Sequence, residues 1–212
     1  MASTHQLRGV EIGDAPEAWR RAGFAVDGDR FVIARTVFHL VGPSGGRGIR
    51  GITVDGIAAD IDGLPFTGAT ADPPPDDRGH ANGVVDIDHL VAMSPDMDRT
   101  SAALVGAGLE LRRTRTFGDG AELRRQAFFW LGDVILELAG LDRAHEPGPA
   151  SLWGLALTTT DLDAAGDALG DAMGDAKDAV QPGRRIATIR TRDLGISVPV
   201  ALMTPHRARS EP

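Results

Sequence analysis

The sequence predicts an α+β protein assembled from repeats of one unit, and two observations carry that expectation. Residues 87–140 (IDHLVAMSPDMDRTSAALVGAGLEL…RQAFFWLGDVILELAG) and 152–203 (LWGLALTTTDLDAAGDALGDAM…GRRIATIRTRDLGISVPVALM) share one order. Each runs from an apolar strand through an Asp-x-Asp step and an Ala-rich helix to further strands, the signature of a chain built from copies of a supersecondary unit. The second observation is a difference between the copies. Aligning Asp96-Met97-Asp98 with Asp161-Leu162-Asp163 sets His89 opposite Gly154, and aligning the last strands sets Glu137 opposite Ala201. Polar side chains suited to chemistry sit on one copy only.

Taken in order, residues 1–69 form an amino-terminal partial module. GVEIG reads as a strand, APEAWRRAGF as a short helix with Pro near its first turn, and RFVIARTVFHLVG as one or two strands. Superposing TVFHLVG on VILELAG sets His39 opposite Glu137, so a polar residue recurs at one strand position. GIRGITVDGIAADIDGLP resembles the start of the last copy and reads as a truncated fourth one. Residues 70–84, with three consecutive prolines and no apolar periodicity, read as an extended exposed linker. A full module follows at 85–142 and a degenerate one at 150–205. In the former, Asp98 or Thr100 is placed to cap the helix and Gly108 to end it. Strand alternation puts His89, Val91 and Met93 on one face, with Asp88, Leu90 and Ala92 on the other, while Ile135 and Glu137 share a face of the last strand. If both faces line one side of a sheet, His89 and Glu137 converge.

Composition narrows the function classes. The 212 residues are 42% apolar, enough for a substantial core. Thirty acidic against 22 basic side chains give a charge of -8, which repels phosphate backbones and argues against nucleic acid and anionic membrane as partners. No cysteine is present, which excludes disulfides, thiolate metal sites and cysteine nucleophiles. MASTHQLRGVEIG lacks the charged start and apolar core of a signal peptide, and no apolar run approaches the roughly 20 residues of a membrane span. The expected setting is cytoplasmic.

IDHLVAMSPDMDRT, RRQAFFWLG and VILELAG together resemble the vicinal oxygen chelate superfamily, which includes glyoxalases, bleomycin-resistance proteins and extradiol dioxygenases. The resemblance covers about residues 85–204. It implies paired βαβββ modules forming a curved, cup-shaped mixed sheet with helices outside, and a divalent metal held on the first and last strands. The matching positions are His89 and Glu137. Gly154 and Ala201 stand where two more ligands belong, and neither binds metal. If the amino-terminal copy pairs with the middle one, His39 joins His89 and Glu137 as a two-His, one-carboxylate set for zinc, iron, manganese or nickel. Glu11 is then the one candidate base. The implied activity is that of a glyoxalase-like or dioxygenase-like enzyme whose metal polarises a substrate with vicinal oxygens. Arg125, Phe129, Trp130 and Trp153 are the candidate substrate-binding residues.

Each residue also has a plainer role: a hydrogen-bonded strand histidine for His89, an ion pair with Arg124 or Arg125 for Glu137, core packing for the aromatics. The rival function is a metal-free protein that sequesters a hydrophobic or cationic compound, with Glu137 neutralising the guest. A structural relic of the fold is a third. Residues 42–46 fit G-x-S-x-G, and Gly46, Gly48 and Gly51 fit G-x-G-x-x-G, but GIRGITV follows where both motifs need a helix. The run Arg112-Arg113-Thr114-Arg115 reads as a solvated strand edge that discourages edge pairing. An odd number of modules makes a homodimer reasonable, because an unpaired module leaves a sheet face or edge to cover.

Overall fold

The computed structural model describes residues 5–69, 78–144 and 146–205. Most of the expected linker, residues 70–77, lies outside them.

The amino-terminal unit begins with β1 (Leu7–Ile12), α1 (Pro16–Arg21), β2 (Arg30–Ile33) and β3 (Thr36–Leu40). β4 (Ile49–Val54), β5 (Ala59–Ile61) and β6 (Leu64–Gly68) complete a six-stranded sheet of order β2-β3-β1-β4-β6-β5. β1 and β4 run antiparallel at its centre, and each is flanked by a parallel last strand, β3 or β6. The truncated fourth copy therefore pairs with the first. Trp19 of α1, fully buried, packs with ring centroids 5.1 Å from Phe24 and 5.2 Å from Phe31, and Phe31 stacks on Phe38 at 4.7 Å. These rings give a short helix an anchor that its six residues could not supply by propensity.

The remainder forms an eight-stranded sheet from two βαβββ modules. The first runs β7 (Val84–Met93), α2 (Met97–Gly106), β8 (Leu111–Phe117), β9 (Arg124–Leu131) and β10 (Val134–Leu141). The second runs β11 (Ser151–Thr159), α3 (Leu162–Leu169), β12 (Lys177–Asp178), β13 (Arg185–Ile189) and β14 (Val200–Met203). The order β12-β13-β14-β11-β7-β10-β9-β8 repeats the pseudo-twofold plan of the smaller sheet with one more strand at each end. Apolar side chains alternate accordingly: Leu90, Ala92, Phe129, Leu131, Leu136 and Leu138 enter the core beside Met97 and Leu104 of α2. Their neighbours His89, Phe128, Trp130, Ile135 and Glu137 line the opposite, concave face.

Asp96, not Asp98 or Thr100, caps α2, its carboxylate accepting from the Arg99 amide 3.0 Å away. Asp161 does the same for α3. The helix ends at Gly106, and Gly108 follows it with φ +96. At Gly140 a Cβ would stand 2.3 Å from the Ser94 carbonyl oxygen, so the strand needs glycine to pass under the loop that starts α2.

The condition under which His39 would join the site, pairing of the amino-terminal copy with the middle one, is not met. The middle copy's partner is the degenerate copy, through β7 against β11, and every module start has a partner within the chain. The unpaired module that made dimerisation reasonable does not exist. The two sheets share one continuous apolar core, and polar contacts lock them. Buried Asp14 accepts from the Ser197 amide (3.0 Å) and hydroxyl (2.7 Å), and Asn82, expected in an exposed linker, is fully buried and donates to the Ala22 carbonyl at 2.8 Å.

A third lock joins Asp62, which holds φ +54 in the turn before β6, to α2. Arg99 Nε donates to Asp62 at 2.8 Å and the Thr100 hydroxyl donates to its other oxygen. Burial pushes the Asp62 carboxyl up, but the Arg99 and Thr100 hydrogen bonds with the Arg99 charge hold it below the ordinary range. A depressed folded pKa contributes stability that is present above the unfolded value near ~3.9 and is lost as pH falls through the folded one. Asp62→Asn should thus lower Tm at pH 7 and flatten the acid limb below about pH 4, measured by thermal melts from pH 2 to 8. An unchanged acid limb would refute this.

Candidate functional site

The concave face holds a cleft of about 400 Å³ lined by Asp86, Asp88, His89, Arg112, Arg113, Phe128, Trp130, Asp133, Ile135, Glu137, Thr158 and Gln181. His89 and Glu137 meet on its floor because β7 and β10 are parallel neighbours whose register sets Ile135 beside His89 and Glu137 beside Val91. Glu137 Oε2 lies 3.5 Å from His89 Nε2, and Glu137 Oε1 accepts from Gln126 Nε2 at 2.6 Å.

Strand alternation would turn Asp88 away from His89. A β-bulge prevents this: Ala156 pairs with His89 and Leu157 with Ile87, leaving Asp88 as the extra residue on β7. Its carboxylate accepts from His89 Nδ1 at 2.7 Å and pairs with Arg184 Nη1 at 2.6 Å. Arg184 is 2% exposed and also donates to the Thr204 carbonyl. Burial alone would raise the Asp88 carboxyl, but hydrogen bonding and charge from His89, followed by Arg184, hold it below the usual range. Sequence reading missed both members of this pair. Arg184 precedes an ordinary strand and nothing separates it from exposed Arg185, while a bulge leaves no mark in the alternation pattern.

The consequence is a directed imidazole. With Nδ1 donating to Asp88, His89 turns its Nε2 towards the Glu137 carboxylate. Two acceptors facing each other call for a cation or a proton between them. Gln126 Oε1, buried with no hydrogen-bond partner, adds a third acceptor beside Glu137. Farther along, burial, reinforced by the charges of Asp133 and Asp88, pushes the Asp86 carboxyl above the ordinary range. A raised folded pKa opposes folding once the group ionises. Asp86→Asn should therefore raise Tm at pH 7 to 8, with the gain fading as pH falls towards ~3.9. A constant gain across that window would refute the assignment.

Several expected participants lie elsewhere. His39 and Glu11 are partners across β3 and β1 of the other sheet, both exposed, so the three-ligand set of His39, His89 and Glu137 does not assemble. Phe129 faces the core at 0% exposure, and its neighbours Phe128 and Trp130 line the cleft. Trp153 is the extra residue of a second bulge on β11 and is 50% exposed, away from the cleft lining. Arg125 pairs with Asp98 at 2.7 Å and Asp142 at 3.2 Å, and Arg124 with Glu122, so neither neutralises Glu137. Gly154 and Ala201, the matching positions of the degenerate copy, are not among the residues that line the cleft and carry no donor side chain. The residues present do not fit a firmly held divalent metal: among the described residues no group of three or more His, Asp or Glu could hold one, and the floor offers two such donors.

The architecture defines a class: paired βαβββ modules forming a cup with one polar half-floor. No protein-family model and no curated protein matches the sequence. Among solved structures, the chain is similar over its length to a variant of 4-hydroxymandelate synthase from Streptomyces coelicolor (TM-score 0.65, 13% identity, 100% of this chain and 95% of that one). It is also similar to a variant of homoprotocatechuate 2,3-dioxygenase from B. fuscum (TM-score 0.59, 14% identity, 100% and 73%) and to a catechol 2,3-dioxygenase (TM-score 0.54, 12% identity, 99% and 90%). The chain has the vicinal oxygen chelate fold. No helix among the described residues is long and apolar enough to cross a membrane.

Proposed function

We propose that the cup binds a small organic cation, as a sequestering or carrier protein rather than a metalloenzyme. One observation carries this reading. Glu137, with a side chain only 12% exposed, faces the cleft with Gln126 and His89 as its polar partners and no arginine or lysine among the described residues. A carboxylate so placed costs several kcal/mol unless a cation joins it. A guest ammonium or amidinium would meet Glu137 Oε2, His89 Nε2 and the free acceptor of Gln126, while Phe128 and Trp130 offer aromatic faces to its apolar part.

A second reading has its own support. The Asp88 hydrogen bond that aims His89 Nε2 at Glu137 is the arrangement by which a carboxylate orients a metal-bound imidazole, so a divalent ion completed by a substrate's own oxygens would also use this floor. Isothermal titration of the chelator-treated protein with benzylamine, beside elemental analysis of protein purified without metal-affinity resin, separates the two. Benzylamine binding in metal-free protein is the expected result. Near-stoichiometric metal on the purified protein, with no amine binding after its removal, would overturn the cation reading in favour of the metal.

A further inference from the structure

The bulge at the start of β8 gives the cleft a second feature. Leu111 pairs with Phe129 and Arg113 with Phe128, so Arg112 is an extra residue on the edge strand. In a regular strand Arg112 and Arg113 would point to opposite faces, which is the arrangement of a solvated edge. Here both line the cleft. The Arg112 guanidinium carbon lies 4.6 Å from the Trp130 ring centroid, and that of Arg113 lies 4.6 Å from the Phe128 centroid. Both rings belong to the same wall of the cup. Neither arginine has a carboxylate within ion-pair distance among the described residues, although Asp86, Asp133 and Glu137 line the same cleft.

A guanidinium lying on a ring spends its face on the ring and keeps its N–H edge for an acceptor. Two of them side by side, held by aromatic walls and unpaired with protein anions, form a fork suited to a planar carboxylate. The lining is therefore bipolar, with arginines on the edge strand and acceptors on the floor.

We propose that the ligand is zwitterionic: a compact molecule whose carboxylate is clamped by Arg112 and Arg113, whose flat part lies along Phe128 and Trp130, and whose basic nitrogen reaches Glu137 and His89. This rests on the cation reading for the basic end only; the arginine clamp stands on separate residues. The bulge is what commits both arginines to one ligand group, which a single alternating arginine would not do.

The test compares three probes by calorimetry: benzylamine, benzoate and 4-(aminomethyl)benzoate, each with the wild-type protein, the R112Q/R113Q variant and the R112K/R113K variant. In the wild type the zwitterion is expected to bind at least tenfold more tightly than benzylamine. In R112Q/R113Q that ratio should collapse to about one, and because both probes are read on the same folded sample, a general loss of structure would not imitate it. In R112K/R113K the ratio should fall severalfold, since an ammonium neither stacks nor forks. No zwitterion advantage in the wild type, or an advantage that survives R112Q/R113Q, overturns the clamp and leaves the cation reading standing. Full retention in R112K/R113K overturns the planar fork. Benzoate binding that depends on the arginines without any benzylamine binding supports the clamp and refutes the cation floor, and binding of none of the three refutes both.

Discussion

Replacing Glu137 by Gln is expected to weaken benzylamine binding by about tenfold to about 150-fold while raising Tm. The binding loss follows from the charge. A hydrogen bond to an ionised acceptor contributes about 1.5–3 kcal/mol, and each ~1.4 kcal/mol is tenfold in affinity. Glutamine keeps the shape, and its amide oxygen still accepts from Gln126 Nε2, now 2.6 Å from Glu137 Oε1. The stability gain follows from removing a buried negative charge that the unliganded chain leaves without a cation; relief of about 1 kcal/mol would raise Tm by about 2–4 °C in a chain of this size. Opposite signs for binding and stability are the signature of a residue retained for its ligand. A fall in Tm with binding intact would mean that Glu137 is a structural member of the sheet, and calorimetry with thermal melts on the same samples decides between them.

The largest stability effect is expected at Arg184. Truncating one partner of a buried ion pair leaves an uncompensated charge and costs about 3–5 kcal/mol. Arg184 is 2% exposed, and the Asp88 carboxylate it pairs with is 9% exposed. Arg184→Ala removes the guanidinium 2.6 Å from that carboxylate, while His89 Nδ1 still donates to it. Because, despite burial, His89 and Arg184 hold the Asp88 carboxyl below its ordinary range, the stability from its pairing is present above the unfolded value of ~3.9 and fades as pH falls through the folded one, so the loss should be full at pH 8 and smaller in acid. Urea unfolding at about pH 3 and at pH 8 reads both the size and the direction. A loss under about 1 kcal/mol at pH 8 would show that the pair contributes no more than an exposed one. Arg184→Met, which fills the space without charge, separates lost packing from lost pairing.

These two residues differ in how far the sequence exposes them. Glu137 announces itself, since a lone carboxylate within VILELAG on a strand of core-facing leucines is conspicuous. His89 follows from the repeat, which aligns its strand with LWGLALTTT and shows that only one copy has a polar side chain there. Arg184 has no such signal: it lies far from Asp88 in sequence, and a loop brings the two together. The same holds for the clamp. Arg112 and Arg113 look like edge protection until the bulge sets both on the cleft wall, and the alternation that correctly separates Phe128 from Phe129 does not say which of them faces the core.

The amino-terminal copy illustrates the limit of pattern matching. Its likeness to the other modules is real, with β1, β3 and β4 repeating the connectivity of β7, β10 and β11. Yet likeness between copies does not say which copies pair. His39 sits at the strand position of Glu137, but on a sheet whose other half is the fragment at 49–68.

By itself the sequence determined the class of fold and the copy that carries a polar floor, because repeat order, apolar alternation and the Asp-x-Asp helix starts are local patterns written in neighbouring residues. Only the tertiary structure decided which modules share a sheet and which arginine neutralises Asp88. Only it showed that bulges at Asp88 and Arg112 re-aim side chains that shape the cleft, while a bulge at Trp153 leaves that ring outside its lining. Those outcomes rest on strand pairing between segments far apart in the chain, where a shift of one residue reverses every face.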